Sequence, residues 1–193
     1  MAGPTAHEFE NIDWSTLPRP VDDGAASHLA GIALPDIALP ATKGPDVSLV
    51  RLSGCTVLYA YPMTGKPGVA LPDDWDLIPG ARGCTPQACA FRDHHAELQG
   101  AGAAHVFGIS TQDTAYQREA AERLHLPFPL VSDAALRLTT ALRLPVMVVD
   151  GAMLLKRMAL IIEDGIIAHV FYPVFPPNRN AADVLQWLRS RQA

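Results

Sequence analysis

The sequence predicts an α/β sandwich, in which a mixed β-sheet lies between layers of helices. Two observations carry this prediction. Strand-like and helix-like segments alternate along most of the chain, and the last strand-like pair has the pattern of an antiparallel hairpin before a final helix. The chain has 193 residues, of which 49% are hydrophobic, so it is long enough and apolar enough for one packed domain.

The chain is expected to divide into an N-terminal arm, residues 1–30, and a domain over residues 31–193. Prolines and an Asp-Asp-Gly run interrupt any long periodicity in the arm, which we expect to pack on the surface or to be partly mobile. Two strand-like segments, 34–39 and 46–52, open the domain. Residues 55–61 then form a nearly continuous β-branched and aromatic run, typical of a strand covered on both faces.

Residues 62–83 are predicted to be a loop, because prolines and glycines within them prevent regular structure. Loops of this length in compact domains are usually functional or disordered. Trp75, Leu77 and Ile78 give this loop apolar anchors. We therefore interpret residues 63–80 as an inserted, ordered lid.

The second half of the chain carries the alternation of helices and strands. We predict helices over 86–98, 114–124 and 134–144, strands over 105–110 and 128–131, a hairpin over 158–171, and a helix after Asn180. Thr85 is placed to cap the first of these helices and Asn180 the last, with Asp183 in the capping-box position. We expect a thioredoxin-like sheet, because that sheet combines parallel strands with a terminal antiparallel hairpin.

Charge and cysteine content exclude several classes of protein. The net charge is −5 and the arginines are scattered, so no basic face for nucleic acid is expected. No apolar run approaches the ~18 residues of a membrane span, and the first residues lack the pattern of a signal peptide. Three cysteines are too few for a disulfide scaffold and fit a reducing compartment. We therefore expect a cytoplasmic protein.

The segment 83–93, GCTPQACAFRD, carries most of the chemical information. Cys84 lies just before or within the first turn of a predicted helix, where unpaired N–H groups and the positive end of the helix dipole favour a thiolate. The thiolate is the nucleophilic form of cysteine. Cys84 is therefore the better candidate for a nucleophile, and Cys89, one turn deeper, for a resolving partner. Cys55, inside a strand, is expected to be a small buried apolar residue.

A zinc site is an alternative use of these cysteines, since His94 and His95 follow them in the chain. On a straight helix, however, Cys89 is rotated about 140° from Cys84, and His95 lies ~16 Å further along the axis. Four ligands at ~2.0–2.3 Å from one ion cannot come from such a helix. We therefore expect no metal site, and we expect both histidines to face solvent or to be half-buried.

The cysteine segment resembles the peroxidatic segment of the peroxiredoxins, and above all that of the Q-type group, the bacterioferritin comigratory proteins. The pattern of that group is an aromatic-Tyr-Pro strand end, then Gly-Cys-Thr, a second cysteine after four intervening residues, and Phe/Leu-Arg-Asp. Further matching pieces lie in the same order along residues 33–172, and they are LYAYP at 58–62, FGIS at 107–110, PLVSD at 129–133, Arg157, LII at 160–162 and Asp164-Gly165.

The resemblance implies a thioredoxin-like fold and thiol-dependent reduction of hydrogen peroxide or organic hydroperoxides. Carried over by position, Cys84 resembles the peroxidatic cysteine and Cys89 the resolving cysteine, which together form an intramolecular disulfide. Arg157 matches the arginine that supports the thiolate and the peroxide oxygens. The implied reductant is a thioredoxin-like or glutaredoxin-like protein. No metal, haem or flavin is implied, no nucleic-acid or membrane partner is expected, and the expected assembly is a monomer or homodimer.

One position departs from the family pattern. The family places a threonine three residues before the peroxidatic cysteine, in a short Pro-x-x-x-Thr-x-x-Cys loop, and the threonine hydroxyl lies beside the thiolate. Ala81 holds that position here, and the loop from Pro62 to Cys84 is far longer. We expect Pro62 to keep its place at the strand end, with Thr64 or Thr85 supplying the missing hydroxyl.

The sequence leaves two other functions open. One is a thiol–disulfide oxidoreductase or redox sensor on the same fold, with weak peroxidase activity. The other is a binding protein with structural cysteines, in which replacing Cys84 changes stability but no reaction rate. Rapid, near-stoichiometric loss of the Cys84 thiol with hydrogen peroxide distinguishes a peroxidase from both.

Overall fold

The structure is a computed structural model, and it describes residues 12–191. In chain order the strands are β1 (Ala38–Leu39), β2 (Val47–Ser48), β3 (Cys55–Ala60), β4 (Ala103–Ser110), β5 (Leu130–Ser132), β6 (Val146–Val149), β7 (Ala152–Leu155), β8 (Met158–Glu163) and β9 (Ile166–Phe171). The helices are α1 (Cys84–Asp93), α2 (His95–Gly100), α3 (Thr114–Arg123), α4 (Arg137–Leu142) and α5 (Asn180–Ser190). Short 3-10 turns lie at Trp14–Thr16, Leu49–Arg51, Trp75–Leu77 and Pro177–Arg179. Within the described residues, every helix is too short or too polar to cross a lipid bilayer.

Five strands form the central sheet, in the order β5-β4-β3-β8-β9. Strands β3, β4 and β5 run parallel to one another, whereas β8 pairs antiparallel with both β3 and β9. The turn between β8 and β9 falls at Asp164 and Gly165, both at positive φ. The predicted sandwich, with a mixed sheet and a terminal antiparallel hairpin, is therefore confirmed.

The side chains of β3 alternate between two apolar layers, because successive residues of a strand point to opposite faces. Tyr59 and Tyr61 lie in one cluster with residues of α1, α2 and α5. Leu58 and Ala60 lie in the other, which α4 and residues 26–41 cover. Burial on both faces accounts for the continuous apolar pattern of this strand. It also places the carboxyl end of β3 beside α1, where Cys84 lies.

Several predicted boundaries shift in the structure. Strands β3, β4 and β5 and helix α3 lie within two residues of their predicted limits. The strands predicted over 34–39 and 46–52 shrink to the two-residue pair β1 and β2. The 3-10 turn Leu49–Arg51 ends the second of them, because its N–H groups bond within the turn instead of along a strand.

The helix predicted over 134–144 is shorter, since α4 has only six residues. The buried carboxylate of Asp133 accepts hydrogen bonds from the N–H groups of Leu138 (3.1 Å) and Thr139 (2.7 Å), which fixes the start of the helix. Arg143, at φ 50°, adopts the left-handed conformation and ends it.

The hairpin β6–β7 is absent from the sequence prediction. Its two strands pair antiparallel across a turn at Asp150 and Gly151, both at positive φ. An Asp-Gly pair between apolar runs is a strong hairpin signal, so the sequence did contain the information. The hairpin supports the insertion, because Trp75 packs with Val149 and Leu154 in a third apolar cluster.

Helix α5 confirms its predicted buried stripe but not its predicted cap. The buried residues of the stripe are Ala181, Val184, Leu185 and Leu188. Asn180 is the first helical residue instead of the N-cap, and its side chain accepts a hydrogen bond from Gln87. Asp183 pairs with Arg179 at 3.6 Å instead of forming a capping box. The 3-10 turn that precedes α5 leads directly into it, so Arg179 holds the cap position with helical dihedral angles.

The described part of the arm packs on the domain. Trp14 makes an edge-to-face contact with Phe175, with ring centroids 6.3 Å apart. The Asp23 carboxylate bonds to Lys156 at 2.6 Å, and Leu29 is fully buried in the core. The division of the chain at residue 30 stays a prediction, and residues 1–11 of the arm lie outside the described part.

Candidate active site

Helix α1 begins at Cys84, two residues before the predicted start, and a break at His94 separates it from α2. The single helix predicted over 86–98 is therefore two helices. The N-cap is Gly83, so the predicted cap at Thr85 is wrong, since Thr85 is already the second helical residue. This start places the sulfur of Cys84 at the positive end of a ten-residue helix with no acidic residue in its first turn.

Gly83 is required by its surroundings as well as by its conformation. Its φ of 106° lies in the left-handed region. A β-carbon at this position would lie 2.3 Å from Cγ of Pro177 and 2.9 Å from the ring of Trp14. The arm and the 3-10 turn before α5 therefore press directly against the residue that precedes Cys84.

We expect Gly83→Ala to lower the free energy of unfolding by about 2–4 kcal/mol, the sum of backbone strain and overpacking. Gly151→Ala is the matched control, because Gly151 has φ 78° but no neighbouring atom within 4 Å of an added β-carbon. The control is expected to lose only about 1 kcal/mol, the backbone term alone. Urea unfolding of both reduced variants measures the difference. Equal losses in the two variants would contradict the steric argument.

The thiol of Cys84 is buried, with 4% of its surface exposed. It donates a weak hydrogen bond to the carbonyl of Ala81 at 3.5 Å, and Nη2 of Arg157 donates to its Sγ at 3.3 Å. The first N–H groups of any α-helix have no acceptor within the helix, and here they belong to Cys84 and Thr85. A guanidinium and a helix N-terminus thus meet at one sulfur, which is the arrangement that stabilises a thiolate.

Arg157 is itself buried, with 3% of its surface exposed. Its Nη2 donates to the carbonyls of Gly80, Ala81 and Arg82, at 3.2, 3.0 and 3.2 Å, in addition to the sulfur of Cys84. None of the ion pairs among residues 12–191 gives this guanidinium a carboxylate partner. A buried charge without a counterion is unfavourable. The sulfur of Cys84, in its anionic form, would supply the counterion that Arg157 otherwise lacks.

Two amide side chains orient Arg157, and the sequence analysis did not identify either. Gln87 accepts a hydrogen bond from Nη1 of Arg157, and its Nε2 donates to Oδ1 of Asn180 at 2.9 Å. Gln87 and Asn180 are buried. A neutral amide fixes the guanidinium without neutralising its charge. The available signal was the spacing, because Gln87 follows Cys84 by three residues and so lies on the same side of the helix.

The other two cysteines have different surroundings. Cys89 is half-buried, and burial raises the pKa of its thiol. Cys55 is also half-buried, more exposed than expected, and burial together with the nearby Glu163 raises its pKa. All three cysteines are free thiols. Cys84 therefore stands apart as the thiol with a cation in direct contact.

A cavity of about 430 Å³ opens at Cys84. Its walls come from the insertion, from the first turn of α1, from the arm and from α3. The lining residues are Ile12, Met63, Gly65, Lys66, Pro67, Gly68, Val69, Leu71, Trp75, Arg82, Gly83, Cys84, Thr85, Pro86 and Arg123. The insertion thus forms one side of this approach to the sulfur. Trp75 anchors it as expected, whereas Leu77 is 67% exposed and anchors nothing.

The candidate hydroxyls differ in position. Thr64 is buried, and its hydroxyl donates to Oε1 of Gln112 at 3.2 Å, so it does not reach the cavity. The backbone of Thr64 also bonds to Gln112, which holds this end of the insertion in place. Thr85 does line the cavity, beside Cys84. Pro62 is buried two residues after the end of β3, close to its expected place, and it does not line the cavity; a contact of Pro62 with substrate stays a prediction.

The histidines after α1 have structural contacts. Nδ1 of His94 lies 3.0 Å from the carbonyl of Ala90, and the ring of His95 packs 5.5 Å from that of Phe128. Burial lowers the pKa of His95. The straight-helix premise used against zinc is wrong, because the helix breaks at His94. Within residues 12–191, no three His, Cys, Asp or Glu side chains are grouped closely enough to hold a metal ion.

Sequence comparison identifies the relatives of the chain. Residues 29–185 match the family model described as Redoxin. Peroxiredoxin Q of Arabidopsis thaliana, described as chloroplastic, is 30% identical over 199 residues, which cover 97% of this chain and 84% of that protein. A putative chloroplastic peroxiredoxin Q of Oryza sativa subsp. indica is 30% identical over 161 residues. That match covers 83% of this chain but 66% of the rice protein, just under two thirds of its length.

Solved structures show the same fold. Peroxidoxin BcpB from Mycobacterium tuberculosis is 27% identical, with a TM-score of 0.67 over 85% of this chain and 98% of that chain. Peroxiredoxin Q of Xanthomonas campestris also has a TM-score of 0.67, over 85% of this chain and 99% of that one. Its identity is 22%, so this likeness concerns the fold alone.

Proposed function

The chain belongs to the Q-type peroxiredoxins, and we propose that it is a thiol-dependent peroxidase that reduces hydrogen peroxide or organic hydroperoxides at Cys84. One observation carries the proposal. The buried guanidinium of Arg157 lies 3.3 Å from the sulfur of Cys84, a residue that begins α1 and lines an open cavity. This arrangement supplies a nucleophile, the charge that supports it, and access for a small substrate.

The first step of the proposed reaction is attack of the Cys84 thiolate on one oxygen of the peroxide. A sulfur–oxygen bond forms and the O–O bond breaks, and the other oxygen leaves with the bonding electrons and takes up a proton as water or alcohol. The sulfur is oxidised by two electrons to a sulfenic acid. Negative charge develops on the leaving oxygen, and Arg157 together with the free N–H groups of α1 stabilises it. Thr85 is the hydroxyl available beside the sulfur.

The second step joins Cys84 to Cys89. The thiol of Cys89 attacks the sulfenic sulfur, a disulfide forms and water leaves. A thioredoxin-like or glutaredoxin-like protein then reduces the disulfide by thiol–disulfide exchange, which needs no cofactor bound to this chain. We propose a reducing compartment such as the cytoplasm for this cycle, in keeping with the three free thiols.

The test is a single-turnover reaction of the reduced protein with equimolar hydrogen peroxide. Samples are quenched at increasing times with an alkylating reagent, and mass mapping gives the fraction of each free thiol. We expect Cys84 to be lost first and nearly stoichiometrically, Cys89 to follow, and Cys55 to stay free as the internal control. Slow loss of all three thiols at similar rates would contradict a peroxidase and would instead fit a thiol–disulfide oxidoreductase or redox sensor.

A further inference from the structure

The cavity at Cys84 is much larger than hydrogen peroxide requires. A water molecule occupies ~30 Å³ in the liquid, and hydrogen peroxide, with two oxygens, occupies roughly twice that. The cavity measures about 430 Å³, which lies within the range of pockets that bind drug-sized molecules, ~300–1,000 Å³. Its size therefore fits a hydroperoxide with an organic body.

The walls of the cavity are apolar and its charged residues have one sign. The apolar side chains of the lining are Ile12, Met63, Pro67, Val69, Leu71, Trp75 and Pro86. Three cationic residues, Lys66, Arg82 and Arg123, share the lining with them. Among the residues described, no aspartate or glutamate lines this cavity.

The three cations are not equally available to a ligand. Arg82 forms an ion pair with Asp76, and Arg123 forms one with Glu119 at 2.7 Å. Lys66 has no carboxylate within 4.0 Å among residues 12–191. Lys66 is exposed, on the insertion, and its ammonium group lies 5.9 Å from the ring centre of Tyr116.

From this distribution of charge we propose that the cavity selects organic hydroperoxides with an apolar body and an anionic group, and that Lys66 determines this specificity. This inference rests on the proposed peroxidase function. The peroxide group lies at Cys84, the apolar body packs against the insertion, and the anion pairs with the ammonium of Lys66. The long flexible stem of lysine lets that charge follow ligands of different length.

A matched pair of substrates tests this preference. Cumene hydroperoxide is the neutral probe, and its para-carboxylate derivative has the same reacting group with one added negative charge. The measured quantity is the second-order rate constant for loss of the Cys84 thiol with each probe, at low and high salt. We expect wild type to prefer the carboxylate probe, and the preference to fall with ionic strength because the ion pair is exposed.

Substitution of Lys66 tests whether this residue causes the preference for the carboxylate probe. Lys66→Gln is expected to lower the rate constant for the carboxylate probe by about 2–5-fold, the range that an exposed ion pair supplies, and to leave the neutral probe unchanged. Lys66→Glu is expected to lower it further. Lys43→Gln is the matched control, because it removes the same charge from an exposed loop residue outside the cavity. The control should leave both rate constants at their wild-type values.

The failures of the two proposals are distinguishable. Equal rate constants for the two probes in wild type, or an equal change of both in Lys66→Gln, would overturn the specificity inference while leaving the peroxidase intact. An equal effect of Lys43→Gln on the preference would also overturn it, since net charge would then be the cause. Failure of Cys84 to react with either probe and with hydrogen peroxide would overturn the peroxidase function itself.

Discussion

Replacing Arg157 by alanine is expected to slow the reaction of Cys84 with hydrogen peroxide by about 10²–10³-fold, the usual cost of losing one preorganised donor at a developing negative charge. Nη2 of Arg157 carries two hydrogens and serves four acceptors, three carbonyls and the sulfur. Hydrogen bonds to a charged acceptor are the stronger ones. An anionic sulfur therefore gains most from this donor, and the alanine variant loses both the donor and the charge.

Arg157→Lys is expected to recover only part of this rate. An ammonium keeps the positive charge, but it lacks the planar fork that reaches Gln87 with one nitrogen and the sulfur with the other. In Arg157→Ala the carbonyls of residues 80–82 lose their hydrogen-bond donor, so this variant can lose activity by folding poorly. Arg157→Lys keeps a donor at this position and therefore serves as the second variant for which folding is less affected.

The measurement is the second-order rate constant for loss of the Cys84 thiol across a pH series. The alanine variant should be slower than wild type at every pH of the series, because the sulfur and the leaving oxygen both lose the charged donor that Arg157 supplies. Arg137→Ala is the control, since Arg137 is exposed and carries an equal charge away from the cavity. A wild-type rate and pH profile in Arg157→Ala, with Arg137→Ala also unchanged, would exclude Arg157 from the site.

Local sequence patterns correctly predicted those elements whose structure depends mainly on neighbouring residues. The apolar run of β3 reflects its burial on both faces, and Asp164-Gly165 marks the turn of the β8–β9 hairpin. The helix predicted over 134–144 is shorter in the structure, because the carboxylate of Asp133 fixes its start through contacts within the fold. The hairpin β6–β7 was overlooked although its turn, Asp150-Gly151, carried the same signal as the one that was identified.

The candidate site likewise has one feature that local sequence predicts and others that depend on tertiary packing. The position of Cys84 at a helix start follows from neighbouring residues, and the structure retains it. The link from Gln87 to Asn180 spans 93 positions, so it depends on how α1 and α5 pack and not on any local pattern. The path of the insertion was equally inaccessible, which is why Thr64 was a candidate although its hydroxyl bonds to Gln112.

Replacing Cys89 by serine is expected to leave the first oxidation of Cys84 at the wild-type rate and to abolish turnover with a dithiol reductant. The serine hydroxyl cannot form the disulfide, so the sulfenic acid on Cys84 accumulates and is over-oxidised by excess peroxide. Stopped-flow kinetics and intact-mass analysis measure the two parts separately. Cys55→Ser is the matched control, because Cys55 is also half-buried but lies on β3.

The same substitution tests a conformational change that the geometry of α1 requires. Cys84 and Cys89 lie on one continuous helix, and five residues of ideal helix separate their Cα atoms by ~8–9 Å. A disulfide needs Cα atoms within ~7 Å and converging side chains. If this disulfide forms, the first turns of α1 must unwind, and we expect that opening to break the hydrogen bond that Arg157 donates to Gln87 and to separate Gly83 from Trp14.

Hydrogen exchange distinguishes this local opening from a general loosening of the fold. In wild type and Cys55→Ser, peroxide should accelerate exchange across residues 84–92 while the amides of β3 stay protected. In Cys89→Ser, the same peroxide should leave α1 protected, because sulfenic acid formation by itself requires no unwinding. Mass mapping should find Cys84 joined to Cys89 within one chain. A bond from Cys84 to Cys55, or to a second chain only, would contradict both the opening and the proposed role of Cys89.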